Sequence, residues 1–183
     1  KISTTAIDSL LSTLTQSQVA DIYSWVYASK GAYFIGFSLP STTLVYDTTS
    51  QRWHERKSLL DGSLGALRVS SIVKAYNKVI CSDVIDGRIG EIDSDVYTEY
   101  ENIIIRRVAT QPFQNNMQSV FFPTLELTVE SGVGNTDAPD PQITLERSKD
   151  GKTWSGPISR SIGKIGEYSR RAIWRRNGRA SRF

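Results

Sequence analysis

Apolar residues recur with two different periods along the chain. Ile7, Leu10, Leu11 and Leu14 stand at i, i+3, i+4 and i+7, one face of an α-helix. Thr5 opens this stretch with Asp8 three residues on, the spacing of a capping box with Thr5 as the cap. From Ile22 the period becomes two, and β-branched and aromatic residues take over. Ile22–Tyr27, Ala32–Phe37, Thr43–Asp47 and Arg52–Arg56 each read as a strand. Ser29-Lys30-Gly31, Pro40 and Thr48–Gln51 separate them as turns or stops. Four strands in about 35 residues is the size of one propeller blade.

A similar unit follows. Leu67–Tyr76 and Val79–Val84 flank a turn at Asn77-Lys78, and Asp86-Gly87 is a hairpin signal before Arg88–Asp93. Asn102–Ala109 carries Ile103, Ile104 and Ile105 in succession, which predicts a strand buried on both faces. Ser119–Glu130 alternates Leu125, Leu127 and Val129 with polar residues and predicts one long, half-buried strand. Gly132–Pro141 is polar and predicts a mobile loop. Gln142–Ser148 is another strand, Lys149–Lys152 a turn, and Asn177-Gly178 a further hairpin turn. The expected fold is mainly β, with antiparallel propeller-like blades, a hairpin-rich C-terminal section and one short N-terminal helix. The expected divisions are residues 1–20 as helix and lead-in, 21–118 as two blade-like units, and 119–183 as the C-terminal β section.

Composition narrows the chemistry. The 183 residues are 39% hydrophobic and 22% charged, enough to build a core. A single cysteine, Cys81, excludes an internal disulfide framework, and with the single His54 it leaves too few ligands for a structural zinc site. No apolar run approaches the roughly 18 residues of a membrane helix, so no membrane partner is expected. The chain starts at Lys1, its one methionine is Met117, and Phe183 ends a basic strand-like stretch. It is expected to be a piece of a longer protein, truncated at both ends.

The net charge of +3 hides a split. Residues 147–183 hold 11 of the 22 Lys and Arg but 2 of the 19 acids, so this section carries +9 against −6 for the rest. Such a division points to an anionic partner for the C-terminal end or to a charge-matched neighbouring subunit.

Candidate chemistry is sparse. His54 sits beside Trp53 in a strand and reads as a structural or surface histidine rather than a catalytic base. Gly132-Val133-Gly134 lacks the third glycine and the following helix of a phosphate loop. Asp83, Asp86, Glu91, Asp93 and Asp95 cluster around one hairpin, but without the spacing of a calcium loop, so they read as turn residues. No catalytic residue, metal or cofactor is expected. Asp47 and Trp53 read as the turn acceptor and apolar plug of a blade hairpin. Ser148-Lys149-Asp150-Gly151-Lys152-Thr153-Trp154 resembles the Asp-box turn of sialidases and other propellers, one residue short between Asp150 and Gly151. There Asp150 and Trp154 would anchor a hairpin.

The tail is the least ordinary segment. Tyr168–Arg176, read as a strand, puts Arg170 and Arg176 on one face with Trp174, and Arg171 and Arg175 on the other. Arg beside aromatic rings can bind phosphates or stack on bases, and it can equally build a subunit interface. Arg170, Arg171, Trp174, Arg175, Arg176 and Arg179 are the candidates for an interface, a DNA-facing surface or a plain solvated strand.

The Tyr46-Asp47…Trp53-His54-Glu55-Arg56 hairpin, the Ser148–Trp154 turn, Ile162-Gly163-Lys164-Ile165-Gly166-Glu167-Tyr168 and Trp174-Arg175-Arg176-Asn177-Gly178-Arg179 follow in that order. Together they resemble the C-terminal part of the packaged-DNA stabilisation proteins of short-tailed Salmonella-type phages, the tail hub, nozzle or tail accessory subunits. The likeness runs from about Ile22 to Phe183, and Asn177 departs from it where an apolar residue is expected. The resemblance implies a non-enzymatic virion part with a propeller-like body. It implies a ring, usually of six identical subunits, below the portal and its adaptor. That ring would hold packaged double-stranded DNA in the channel and connect to the tail needle and other tail proteins. Two rival readings stand beside it: a propeller that binds or cleaves sialylated glycans, and a non-specific DNA-binding module resting on the basic tail.

Overall fold

The computed structural model describes residues 2–116, 118–136 and 138–181; Met117 and Phe183 lie outside them. The chain divides into two compact units, residues 1–107 and 108–183.

The first unit opens with two helices, α1 (Thr5–Ser12) and α2 (Gln16–Ala20). Thr4, not Thr5, caps α1, its side chain accepting the Ile7 N–H. The capping box belongs to the unforeseen α2, where Thr15 and Gln18 exchange bonds. A meander follows: β1 (Tyr23–Ser29), β2 (Ala32–Ser38), β3 (Thr43–Asp47), β4 (Arg52–Leu60) and β5 (Ser63–Ala66), each paired antiparallel with the next. Lys30-Gly31 and Asp61-Gly62 turn two of these hairpins with positive φ at both residues. The Asp61-Gly62 turn adds β5, a fifth strand beyond the four expected.

Alternation sends the two sides of the meander to different cores. Leu44 joins Ile7 and Leu39, with Phe37 and Trp53 alongside, so α1 covers one face. Val45, the next residue, joins Trp25 and Tyr27 on the other face, with Leu67, Ile72, Val79 and Ile92 against them. The latter four come from or beside a three-stranded sheet, β6 (Val69–Ala75), β7 (Lys78–Asp83) and β8 (Ile89–Glu91). Trp25 lies flat over Gly36, its pairing partner on β2. A Cβ at Gly36 would stand 2.2 Å from the indole, so only glycine fits beneath the ring.

A buried polar network ties the sheets together. The Arg68 guanidinium, 7% exposed, pairs with the fully buried Asp83 carboxylate and reaches Asp86 at 3.0 Å. Its backbone N–H donates to Ser58 Oγ at 3.0 Å, and Ser58 in turn donates to Glu99 at 2.9 Å. Tyr100 lies against both Arg68 and Arg88. Burial alone would raise the Asp83 pKa, but the bonds from Arg68 and the Ile85 N–H reverse that and bring it below the ordinary value. Asp86 is held at about 2, first by its bond from Arg88.

The unit ends in β9 (Thr98–Glu99) and β10 (Asn102–Ile103), which pair only with each other. The expected doubly buried isoleucine strand is not there. Ile103, Ile104 and Ile105 are 72%, 41% and 56% exposed, because β10 stops after two residues in a sheet of two short strands.

In the second unit the expected long strand is broken at Pro123 into β11 (Val120–Phe121) and β12 (Thr124–Leu127). Pro123 has no N–H to give the ladder. Leu125 and Leu127 are exposed. β13 (Gln142–Leu145) pairs with β14 (Ile158–Ser161), β12 with β15 (Ala172–Arg175), and β11 with β16 (Arg179–Ala180). The core centres on Ala172 and Trp174, 0% and 3% exposed, and the indole N–H donates to the Ile158 carbonyl at 2.8 Å. Gly132–Pro141 is not a free loop: Gly166 N–H donates to Gly132 O at 3.1 Å and Ile165 N–H to Pro139 O at 3.2 Å.

Asn177-Gly178 makes a bulge instead of a hairpin turn. Phe121 pairs with Arg179 and Thr124 with Arg175, so Phe122 and Pro123 face three residues, Arg176, Asn177 and Gly178. Arg176 N–H donates to Pro123 O at 2.7 Å and Asn177 N–H to Phe122 O at 3.0 Å. Arg176 takes φ +59° to accommodate the extra residue. Asn177 is buried and donates to the Trp174 carbonyl at 3.1 Å.

Two outcomes follow. Gly36→Ala forces the Trp25 ring off β2 and is expected to cost roughly 1–3 kcal/mol in urea unfolding; an unchanged midpoint would contradict the close approach. Asp83→Ala leaves a buried guanidinium without its main partner and costs about 3–5 kcal/mol. Since folding lowers the Asp83 pKa, its stabilisation is complete above the unfolded value of about 3.9. It is lost as pH falls through the folded value. Acid titration of stability should therefore be shallower in Asp83→Ala than in the parent.

Candidate functional site

The second unit assembles a basic surface from two neighbouring strands and the bulge. Along β15, Ala172 and Trp174 turn inward while Ile173 and Arg175 alternate to the other face. In a regular strand Arg176 would follow Trp174's side. The bulge re-aims it, and Ile173, Arg175 and Arg176 line one open concavity of about 470 Å³ with Arg160 of β14. Arg160 is fixed by its neighbours' backbone: Nε donates to Ile173 O at 3.2 Å and Nη1 to Ser159 O at 2.9 Å. Among the described residues, none of these three arginines has an acidic partner, and no carboxylate lines the concavity.

The other predicted basic residues are placed differently. Arg171, two residues before Glu126's pairing partner Ile173, makes a two-pronged bond to Glu126, Nε to Oε1 at 2.5 Å. That contact lowers the Glu126 pKa and raises that of Arg171. Arg179 donates to Ser119 Oγ at 2.6 Å. Arg170 is exposed at a second shallow concavity, formed by residues 166–171. Trp174 is not on the surface at all; it is the core residue on which β15 is seated. The structure thus brings Arg175 and Arg176 together and leaves Arg170, Arg171 and Arg179 apart from them. Arg160 was not among the sequence candidates. Its signal was present: a basic residue on a short strand inside the +9 section.

The turn residues do what their types allow. Asp47 accepts from the Thr49 N–H at 2.8 Å and the Ser50 hydroxyl at 2.7 Å. Trp53 packs against Phe37 and Tyr46 and donates to Ile2 O at 2.9 Å. Asp150 accepts from the N–H groups of Lys152 and Thr153 at 2.8 and 2.7 Å, which holds its carboxyl well below the usual range. Ser148 and Trp154 bridge the two sides of that turn.

His54 is edge-on to Phe34 and accepts from Arg56 Nε at 3.3 Å, and desolvation, then Arg56, lowers its pKa. Cys81 is buried, which raises its thiol pKa. The acidic hairpin is largely neutralised: Asp83 and Asp86 face Arg68, Glu91 meets Lys78, and Asp95 meets Lys30. Among the described residues no group of three or more His, Cys, Asp or Glu converges as a metal site.

Comparison with known proteins gives two family-model matches that lie end to end. Residues 1–97 match the model described as bacteriophage P22 Gp10, beta-propeller, and residues 105–183 the one described as bacteriophage P22 Gp10, beta-sandwich. The chain belongs to the bacteriophage P22 Gp10 family. No curated protein matches it. As a Gp10-family chain it is a phage structural protein, of the kind that stabilises packaged DNA. The stacked meander and three-stranded sheet are the propeller-type part, and the unit around Trp174 is the sandwich part.

Trp174→Ala removes the centre of the sandwich core and is expected to cost about 3–5 kcal/mol. Guanidinium unfolding followed by tryptophan fluorescence and by far-UV circular dichroism measures it. A loss under about 1 kcal/mol would mean that the core does not depend on this ring.

Proposed function

We propose that this Gp10-family chain works as a tail hub or nozzle subunit, forming a ring of six identical copies below the portal and its adaptor. In that ring it retains double-stranded DNA in the channel and connects to the tail needle and other tail proteins. The observation that carries the reading is the paired family match, propeller then sandwich, across nearly the whole chain. The charge division supports it, since head-to-tail faces in a ring must be complementary rather than alike. The arginines of the second unit that have no acidic partner among the described residues supply an anion-attracting surface. Nothing in this role calls for a reaction, and the protein acts by assembly.

The test uses phage heads that have packaged DNA but lack tails. Incubation with the protein, followed by negative-stain imaging, should show rings at one vertex and DNA protected from nuclease. Failure to seat on heads would sink the reading. Binding of sialylated glycans in its place would favour a lectin-like propeller.

A further inference from the structure

We propose that Arg160, Arg175 and Arg176 form a binding site for the phosphodiester backbone of double-stranded nucleic acid, read without sequence preference. This deepens the proposed role and rests on that reading for its biological setting.

Three observations carry it. First, the fold goes out of its way to put consecutive arginines on one face. A regular strand would send Arg175 and Arg176 to opposite sides, and the positive φ of Arg176 within a two-against-three bulge brings both to the same concavity. Second, Arg160 is oriented by two backbone carbonyls, not by an acid, so its position is set while its charge stays uncompensated. Third, the ion pairs found elsewhere in the chain leave these three arginines out. Arg171 is taken up by Glu126, and Arg68, Lys30 and Lys78 by their own carboxylates, whereas these three have no acidic partner among the described residues.

The lining decides the ligand class. Guanidinium forks match phosphate oxygens in pairs, and three of them around an open surface suit a chain of phosphates. The fourth lining residue is Ile173, so among the described residues the lining offers guanidinium donors and no side-chain acceptor for a base amino group. An acidic face of a second copy is the less suitable occupant. The densest carboxylate cluster of this chain, residues 83–95, already spends Asp83, Asp86, Glu91 and Asp95 on its own basic residues.

The experiment is a fluorescence anisotropy titration of the full chain with a labelled 20-base-pair duplex of mixed sequence at several salt concentrations. The test protein carries Arg160→Ser, Arg175→Ser and Arg176→Asn, the last chosen because Asn tolerates positive φ. A control carries Lys149→Ser, Lys152→Ser and Lys164→Ser, which removes the same charge from the same section outside the concavity. Each phosphate contact contributes about 0.9 to the slope of log affinity against log salt. The triple arginine variant should therefore lose roughly two to three units of slope and at least about tenfold in affinity, and the lysine control far less. Equal losses in both, or none in the arginine variant, would overturn the site. If the arginine variant does not fold, Arg160→Lys, Arg175→Lys and Arg176→Lys together decide. Weaker binding with the charge kept supports the fork geometry, and unchanged binding overturns it. Loss of binding to poly-glutamate with duplex binding intact would reassign the surface to a protein partner. The duplex assay does not depend on seating at a phage head, so failure here leaves the ring reading standing, and failure to seat leaves this site measured.

Discussion

Each unit of this chain closes around one tryptophan whose ring needs burial and whose N–H needs an acceptor. In the first, Trp25 lies over Gly36 and donates to Ser38 Oγ at 3.3 Å. In the second, Trp174 sits beneath β15 and donates to the Ile158 carbonyl. The rest of the architecture follows from seating these rings. Gly36 leaves the space on β2, and Val45 and Tyr27 complete the apolar side on which the second sheet lies. Trp174 ties β15 to β14, and that tie brings Arg160 beside Ile173 and Arg175.

Charge is the second organising theme, and the two units treat it differently. The first unit buries charge and satisfies it: Arg68 and Asp83 form a pair that is costly to desolvate and more costly to break. Arg56 lies among the rings of Trp25, Tyr27 and Phe34 and donates to the Tyr27 hydroxyl. The second unit keeps most of its arginines at the surface, pairs Arg171 with Glu126, and leaves a subset uncompensated. For the role proposed above both properties are useful, a body stabilised without reliance on surface ions and a face that attracts phosphate.

The sequence was most legible where local chemistry decides structure. β1 to β3 follow the period-two runs to within two residues, since Lys30-Gly31 and the Asp47 turn fix where the chain reverses, while β4 starts as expected at Arg52 but runs four residues past Arg56. Residues 102–109 misled because three isoleucines in a row signal burial only if another layer arrives, and β10 has β9 alone. The Asp61-Gly62 dipeptide is a strong hairpin signal in its own right, and it adds β5 at the end of a charged strand. At Asn177-Gly178 the same kind of dipeptide takes positive φ at Gly178 but not at Asn177, the other positive φ falling on Arg176, because the pairing with a strand broken at the distant Pro123 makes a bulge there and not a hairpin. The candidate site was half legible for this reason. Arg175 and Arg176 stood out by composition; Arg160, and the shared face, are products of strand pairing. The family was legible because the Gly163–Tyr168 and Trp174–Arg179 stretches are specific in themselves.

The central claim is that this chain stabilises packaged DNA as a wall of the phage channel, with its guanidinium face toward the genome. Asymmetric cryo-electron microscopy of the intact virion vertex tests it most directly. The account predicts density for this chain encircling the channel below the portal, with the face bearing Arg160, Arg175 and Arg176 turned to the DNA. Density that places the chain away from the channel, or turns that face outward into another protein, would contradict it.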